Sequence, residues 1–127
     1  MTTGNRPLSP HMKIYKFPMN GLMSGAHRVT GVLLSAGTLF FAYWLIAAAY
    51  GPESYATAQA FFGSWFGQLV LLGYTFCMYY HLVNGVRHLR WDMVTGLEKQ
   101  DLIASGRVGI AVTAILTVAT WIIGYSV

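Results

Sequence analysis

Three long stretches without a charged side chain constrain this chain more than any other feature of its sequence. They cover residues 29–52, 54–86 and 108–127, which are 24, 33 and 20 residues long. A helix needs about 20 apolar residues to cross the roughly 30 Å hydrocarbon core of a bilayer. The stretches exceed the about 9–11 residues of a barrel strand and show no sustained alternation of apolar and polar positions. They predict an all-α membrane protein with three transmembrane helices.

The composition supports this fold class and argues against several others. Hydrophobic residues make up 55% of the 127 residues and charged residues only 9%, whereas a soluble domain carries about 25% charged residues. Too few polar side chains remain to cover a water-facing surface, so a soluble enzyme and a nucleic-acid-binding domain are both disfavoured, despite the net charge of +4. We predict one membrane domain over residues 1–127, with an arm at 1–22 and spans near 29–50, 61–86 and 108–125.

The positions of the charges predict how the helices are oriented. Residues 1–28 carry four basic side chains and no acid, and the segment 87–107 carries the other four basic side chains. The connection at 51–60 is expected to be a loop that follows a Gly-Pro helix stop, and its single charge is Glu53. Lys and Arg concentrate on the side that is not translocated. The amino terminus and the 87–107 segment are therefore predicted to face the cytoplasm or matrix, with the carboxyl terminus opposite.

His81 is the histidine that the predicted spans enclose. It lies six residues before Arg87, about 9 Å below the end of its span. A histidine at this depth can relay protons or bind a metal, and a hydrogen bond to a neighbouring helix explains it equally well. His88 shares its helix face but lies about 10.5 Å away along the axis, so the two cannot ligate one iron. No other histidine is expected at the depth of His81, and a second axial ligand would come from elsewhere.

A second polar group opens the first span. Ser24 and Arg28 are i,i+4 neighbours, and Gly31 and Ser35 continue the same face into the membrane. An arginine at this position can simply extend to a lipid phosphate. A hydroxyl donor and a guanidinium beside an apolar slot would also suit a lipid-soluble ligand that bears a carbonyl group. The residues alone leave both interpretations open.

A third polar group follows the second span and comprises Arg87, His88, Arg90, Asp92, Glu98 and Asp101. It is typical of an ordinary positively charged loop with local ion pairs. The polar segments are too short to form a catalytic domain, so a catalysed reaction would require another subunit.

Three segments resemble the cytochrome b subunit of succinate dehydrogenase, a membrane anchor of respiratory complex II. Residues 6–11, RPLSPH, resemble the amino-terminal arm of that family. Residues 24–31, SGAHRVTG, resemble its S-x-x-H-R-x-[ST]-G motif at the start of the first span. Residues 81–92, HLVNGVRHLRWD, resemble its H-x-x-x-G-x-R-H-[LM]-x-x-D motif at the end of the second. The third helix fits in length and position but carries no motif.

The resemblance implies that this chain binds haem b together with a second small anchor subunit, with which it would pack. His81 would be one axial ligand of the iron, and a histidine of the second anchor would be the other. His27 and Arg28 would lie near the haem propionates, where positive charge and donors stabilise carboxylates. Ser24 and Arg28 would line a ubiquinone pocket, and Asp92 would help to deliver protons at its inner rim.

The resemblance also implies a role in electron transfer. Succinate would be oxidised in a flavoprotein subunit, and electrons would pass through an iron–sulfur subunit to ubiquinone. This chain would then be a subunit of a succinate:quinone oxidoreductase. A fumarate reductase anchor that uses menaquinone is the nearest alternative. A non-redox transporter or assembly protein is a further one, but it would be expected to place an acid within a span, and the sequence has none there.

The residues before the first span also bear on localisation. They contain no apolar segment of the kind that forms the core of a cleavable signal peptide, and no Arg- and Ser-rich amphipathic leader. We therefore expect a bacterial inner membrane, with the mitochondrial inner membrane as the alternative.

Overall fold

The computed structural model describes residues 15–127, which form an all-α structure. Its helices are α1 (Met19–Tyr50), α2 (Pro52–Gly63), α3 (Trp65–Asp92) and α4 (Lys99–Ser126). Helices α1, α3 and α4 are long and apolar enough to cross a membrane. This confirms the predicted fold class. The segment 6–11, which carries part of the family resemblance, lies outside the described residues.

Short breaks separate the first three helices. Gly51 adopts a φ of 120°, a conformation that favours glycine. Pro52 then begins α2, at a position where its missing N–H leaves no helical hydrogen bond unmade. Ser64 separates α2 from α3, and its hydroxyl oxygen accepts a hydrogen bond from the backbone nitrogen of Gly67 at 3.1 Å. This bond caps the first turn of α3.

The helix bounds differ from the sequence expectation at the connection 51–60 and at the starts of the three long helices. The connection at 51–60 is helical rather than a loop, because Pro52 suits the first turn of a helix and the alanine-rich segment after it favours helix. Residues 61–63 complete α2, so α3 begins at Trp65, later than the predicted span at 61–86. Helices α1 and α4 also begin before the charge-free stretches, since charged side chains near a helix end can reach water without interrupting the backbone hydrogen bonds.

Small residues allow the three long helices to approach one another. Four of them are buried on α4: Gly106, Gly109, Thr113 and Thr117. On α1, Gly37 lies against the ring of Tyr74, where a Cβ atom would overlap the ring. Large apolar side chains are instead exposed, including Val32 at 71% and Leu39 at 73%. Such a surface is suited to lipid or to other membrane helices, and close packing of small residues is what joins helices in that solvent.

The start of α1, the end of α3 and the start of α4 meet at one end of the bundle. Met23 of α1 contacts Arg87 of α3, and Arg87 donates to the backbone oxygen of Leu102 in α4. The two positively charged segments of the sequence therefore lead into the same end of the bundle, as the charge pattern predicts. We call this region the polar end, residues 19–31, 80–92 and 99–109, and the opposite region the apolar end, residues 33–77.

Candidate functional site

The ring of His81 is held by the backbone of α1. Its Nδ1 lies 2.9 Å from the backbone oxygen of His27. A carbonyl oxygen only accepts hydrogen bonds, so Nδ1 carries the hydrogen. The hydroxyl of Thr30 donates to the same oxygen at 2.9 Å and lies 3.3 Å from Nδ1. This contact sets the tautomer and leaves Nε2 with a lone pair and no hydrogen-bond partner among residues 15–127.

Gly31 makes room for the ring of His81. A Cβ atom at Gly31 would lie 3.0 Å from Cε1 of His81 and 3.9 Å from its Nε2. The first distance is shorter than most real Cβ contacts, so a side chain at this position would displace the ring. Gly31 therefore belongs to the site as the residue that admits the imidazole to the surface of α1.

His27 stacks on the ring of His81. The ring centroids are 3.9 Å apart and the planes are inclined by 14°. The expectation that no other histidine lies at the depth of His81 is therefore wrong. Because α1 begins at Met19, His27 lies about two turns inside this helix. Helix α3 packs against α1 so that His81 lies beside His27. Rings stacked face to face at this distance leave no room for a metal ion between them, so the two imidazoles could not bind one ion from opposite sides.

His27 also lies beside His88, with ring centroids 5.1 Å apart. The structure thus brings together three histidines from two helices. The buried Nδ1 of His27 has no hydrogen-bond partner in the described part of the chain. An unpartnered buried nitrogen is unfavourable, and a water molecule or a ligand group would relieve that cost.

The other predicted site residues lie around this histidine group without joining it. Ser24 is half-buried and Arg28 is exposed, one turn apart on α1. Neither side chain makes a hydrogen bond within residues 15–127, so both polar groups are available to a ligand or to lipid. Asp92 is exposed at the last residue of α3.

Arg87 is buried in the bundle and does not lie in a solvated loop. It is only 8% exposed. Its guanidinium donates to Oδ1 of Asn84 at 2.7 Å, to the backbone oxygen of Leu102 at 3.2 Å and to Sδ of Met23 at 3.6 Å. Its Cζ lies 4.9 Å from the ring centroid of Trp91. All of these partners are uncharged, so the expected local ion pairs do not account for Arg87.

Sequence reasoning missed the buried polar stripe that contains Arg87. Tyr80, Asn84 and Arg87 are all buried, at 7%, 1% and 8% exposure. Their spacing of i, i+4 and i+7 places them on one face of α3, beside the face that carries His81. A search of the second span for every polar stripe, and not only for the one around His81, would have found them.

An apolar cleft of about 560 Å³ opens between α1, α2 and α3 at the apolar end. Cys77, one helical turn from His81, borders it, and Gly37 of α1 and Tyr74 of α3 line it. The lining of the cleft also includes the polar side chain of Gln59, whose Oε1 accepts a hydrogen bond from Nε1 of Trp44 at 3.0 Å. A concave apolar wall of this kind suits an apolar ligand or an apolar side of a larger one.

Comparison with known proteins adds independent information. Residues 2–120 match the family model described as succinate dehydrogenase/fumarate reductase transmembrane subunit. The chain is 39% identical over 120 residues to the succinate dehydrogenase cytochrome b556 subunit of Paracoccus denitrificans, and the aligned region covers 94% of this chain and 92% of the relative. It is 32% identical over 117 residues to the b556 subunit of Rickettsia felis, with 92% and 91% covered. It is 37% identical over 122 residues to the mitochondrial b560 subunit of Bos taurus, with 92% and 70% covered.

Proposed function

Because the chain belongs to the family of succinate dehydrogenase/fumarate reductase transmembrane subunits, we propose that it is the haem b-binding anchor of a succinate dehydrogenase and forms part of its ubiquinone-reduction site. Its relatives are named as cytochrome b subunits of succinate dehydrogenase, which favours this assignment over an anchor that works in the fumarate-reducing direction. The observation that carries the proposal is the hydrogen bond from Nδ1 of His81 to the backbone oxygen of His27.

That hydrogen bond is the arrangement expected for a metal-binding histidine. A ligating imidazole normally donates its second ring N–H to a carbonyl or carboxylate, which orients the ring and makes it a better ligand. In the described part of the chain no group of three or more His, Cys, Asp or Glu side chains is arranged to hold a metal ion. A single oriented imidazole instead suits an iron that a macrocycle already holds and that needs only axial ligands.

The surroundings of His81 fit a haem. His81 would be one axial ligand, and a histidine of a second small anchor subunit would be the other. His27 could not be that ligand, because its ring is stacked on the ring of His81 with no space for iron between them. The apolar cleft that begins one turn away would face the apolar part of the porphyrin. When bound, haem supplies a one-electron carrier whose potential is tuned by its ligands and their hydrogen bonds.

His27 and Arg28 are proposed to stabilise the haem propionates. Both lie on the polar-end side of Gly31 along α1. Arg28 is exposed, and His27 has an unpartnered buried ring nitrogen. Hydrogen bonds from charged donors to carboxylates are stronger than those between neutral groups. The role of these two residues would be to orient the haem and to offset its negative charge.

Ser24 and Arg28 are proposed to bind the ubiquinone headgroup. The hydroxyl of Ser24 would donate to a quinone carbonyl, and the guanidinium of Arg28 would add positive potential beside it. Reduction to quinol consumes two electrons and two protons, so the pocket needs polar groups near the aqueous edge. Asp92, exposed at the end of α3, is proposed to help deliver those protons.

The proposal assigns partners to the remaining surface. Succinate oxidation would take place in a flavoprotein subunit, with an iron–sulfur subunit seated on the polar end, and this chain would contribute no catalytic domain. The exposed apolar faces of the three long helices would be covered by lipid and by the second anchor subunit. The polar end would face the cytoplasm of a bacterial inner membrane, or the matrix in a mitochondrial one.

One experiment tests the proposal as a whole. A reduced-minus-oxidised visible spectrum of the purified membrane complex should show a b-type haem, and mass analysis of the co-purifying chains should show a flavoprotein and an iron–sulfur protein. Succinate-dependent reduction of added ubiquinone should accompany them. A purified chain that carries neither haem nor these partners would contradict the assignment.

A further inference from the structure

Met23, at the start of α1, is held by the two other long helices. The hydroxyl of Tyr80 donates to its backbone oxygen at 3.1 Å, and Nη1 of Arg87 lies 3.6 Å from its Sδ. On α4, a Cβ atom at Gly106 would lie 2.9 Å from the same Sδ, so a side chain at this position would require the methionine side chain to shift. Met23 is 5% exposed. We call Tyr80, Arg87 and Gly106 the Met23 socket.

The Met23 socket acts on the turn of α1 that carries the proposed ligand-binding residues. In an α-helix the backbone oxygen of residue i accepts from the amide of residue i+4. The oxygen held by Tyr80 is therefore also the acceptor of the His27 amide. Met23 directly precedes Ser24, and the backbone oxygen of His27 in turn holds His81. A displacement of Met23 would move all of these groups together.

The burial of Arg87 indicates that the Met23 socket does more than fill space. Burying a guanidinium is costly, and an apolar side chain would pack helices at lower cost. Arg87 instead bonds to uncharged acceptors on three helices at once: Met23 on α1, Asn84 on α3 and Leu102 on α4. The guanidinium is planar and has five N–H donors in fixed directions. It can bond to all of these acceptors at once only in a few relative positions of the three helices.

We infer that Tyr80 and Arg87 are positioning residues: by holding Met23 they set the placement of Ser24, His27 and Arg28 relative to His81. This inference rests on the proposed quinone and haem roles of those residues. Neither Tyr80 nor Arg87 needs to touch quinone or haem for this role. Their substitution should therefore change the affinity for quinone more than the ability of the complex to oxidise succinate.

The test uses two neighbouring tyrosines in the assembled membrane complex. Tyr80→Phe removes only the hydroxyl that bonds to Met23. Tyr79→Phe removes a hydroxyl that lies 2.7 Å from Oγ1 of Thr120 and joins α3 to α4 without involving α1. We expect Tyr80→Phe to raise the KM for ubiquinone by about threefold or more, because displacement of Met23 would weaken the proposed hydrogen bond from Ser24 to quinone. Succinate oxidation with a soluble dye, measured per flavin, should stay at the wild-type rate in both variants, and Tyr79→Phe should keep the wild-type KM.

A second variant addresses Arg87. Arg87→Lys keeps the charge but cannot reach acceptors on three helices at once, so an assembled complex should show a larger rise in KM than Tyr80→Phe shows. If Arg87→Lys prevents assembly, the comparison of the two tyrosine variants decides. If Ser24→Ala raises the KM for ubiquinone but Tyr79→Phe and Tyr80→Phe have equal KM values, the positioning role of Tyr80 and Arg87 is wrong and the proposed quinone site still stands. Wild-type quinone reduction in both Ser24→Ala and Arg28→Lys would instead overturn the proposed quinone site itself.

Discussion

The polar end and the apolar end of the bundle hold their helices in different ways. At the polar end, buried and half-buried side chains bond directly to the backbone of another helix: Tyr80 to Met23, His81 to His27 and Arg87 to Leu102. At the apolar end, α1, α2 and α3 surround a cleft of about 560 Å³ that is walled mostly by apolar side chains. The apolar end also has bonds between helices, such as the one that Nε2 of Gln68 donates to the backbone oxygen of Phe62 at 2.9 Å, but these bonds leave the cleft open.

This difference suits two different tasks in one small chain. Hydrogen bonds are directional, so the polar end can hold an imidazole or a hydroxyl at a defined position. Apolar contacts are not directional, so the cleft can accept a large apolar group without a specific register. If this division is correct, substitutions at the polar end should change the haem spectrum or the reduction of quinone. Matched substitutions beside the cleft should have little effect on either.

The largest effect is expected from His81→Ala. A methyl group cannot donate to iron, so the variant complex should lose the low-spin b-type spectrum or lose the haem altogether. The matched control is Cys77→Ala, one turn away beside the cleft, which should keep the spectrum. An unchanged low-spin spectrum in His81→Ala would refute the ligand assignment and return attention to His27 and His88.

A smaller effect is expected at the start of α1. Ser24→Ala should weaken quinone binding by about 0.5–1.5 kcal/mol, or roughly twofold to tenfold. Arg28→Leu should cost more because it also removes the charge. Both variants should still oxidise succinate with a soluble dye that takes electrons upstream. The measurement is succinate-dependent ubiquinone reduction at subsaturating quinone, where a loss of affinity cannot be hidden.

The same helix offers a control for this effect. Within residues 15–127 the hydroxyl of Ser35 bonds to its own helix, at the backbone oxygen of Gly31, and it lies about 16 Å along the helix axis from Ser24, so Ser35→Ala removes a hydroxyl distant from the proposed headgroup site. It should be silent in the quinone assay. If Arg28 merely extends to lipid phosphate, Arg28→Lys will be as active as the wild type and Ser24→Ala will be silent as well.

The smallest effect on activity is expected from Gly31→Ala. The new Cβ would lie 3.0 Å from Cε1 of His81 and push the ring by a few tenths of an ångström, at a cost near the lower end of the about 1–3 kcal/mol of an overpacked core. Haem should stay bound, with a shifted reduction potential. Gly25→Ala, where nothing lies within 4 Å of the new Cβ, should leave the potential unchanged. Equal potentials in the two variants would show that the contact between Gly31 and His81 does not control the ring.

Much of the architecture was predictable because the bilayer penalises charge so strongly. The three charge-free stretches predict the three long helices, and the basic residues predict which connections share one end. Spacing along α3 correctly placed His88 on the face of His81, since the helical period is fixed by backbone geometry. The helix over 52–63 is not evident from the sequence, because Gly51-Pro52 is a stop signal for one helix and also a suitable first turn for the next.

What the sequence by itself determined is therefore what one helix and its solvent decide: which segments are long and apolar enough to cross the membrane, and which residues share a helical face. Tertiary structure alone decided which faces meet. It set His27 against His81, placed Met23 among Tyr80, Arg87 and Gly106, and buried Arg87 in the bundle. The physical reason is that helical periodicity relates residues within one element, whereas the angle and register between elements depend on side chains from several helices packing at once.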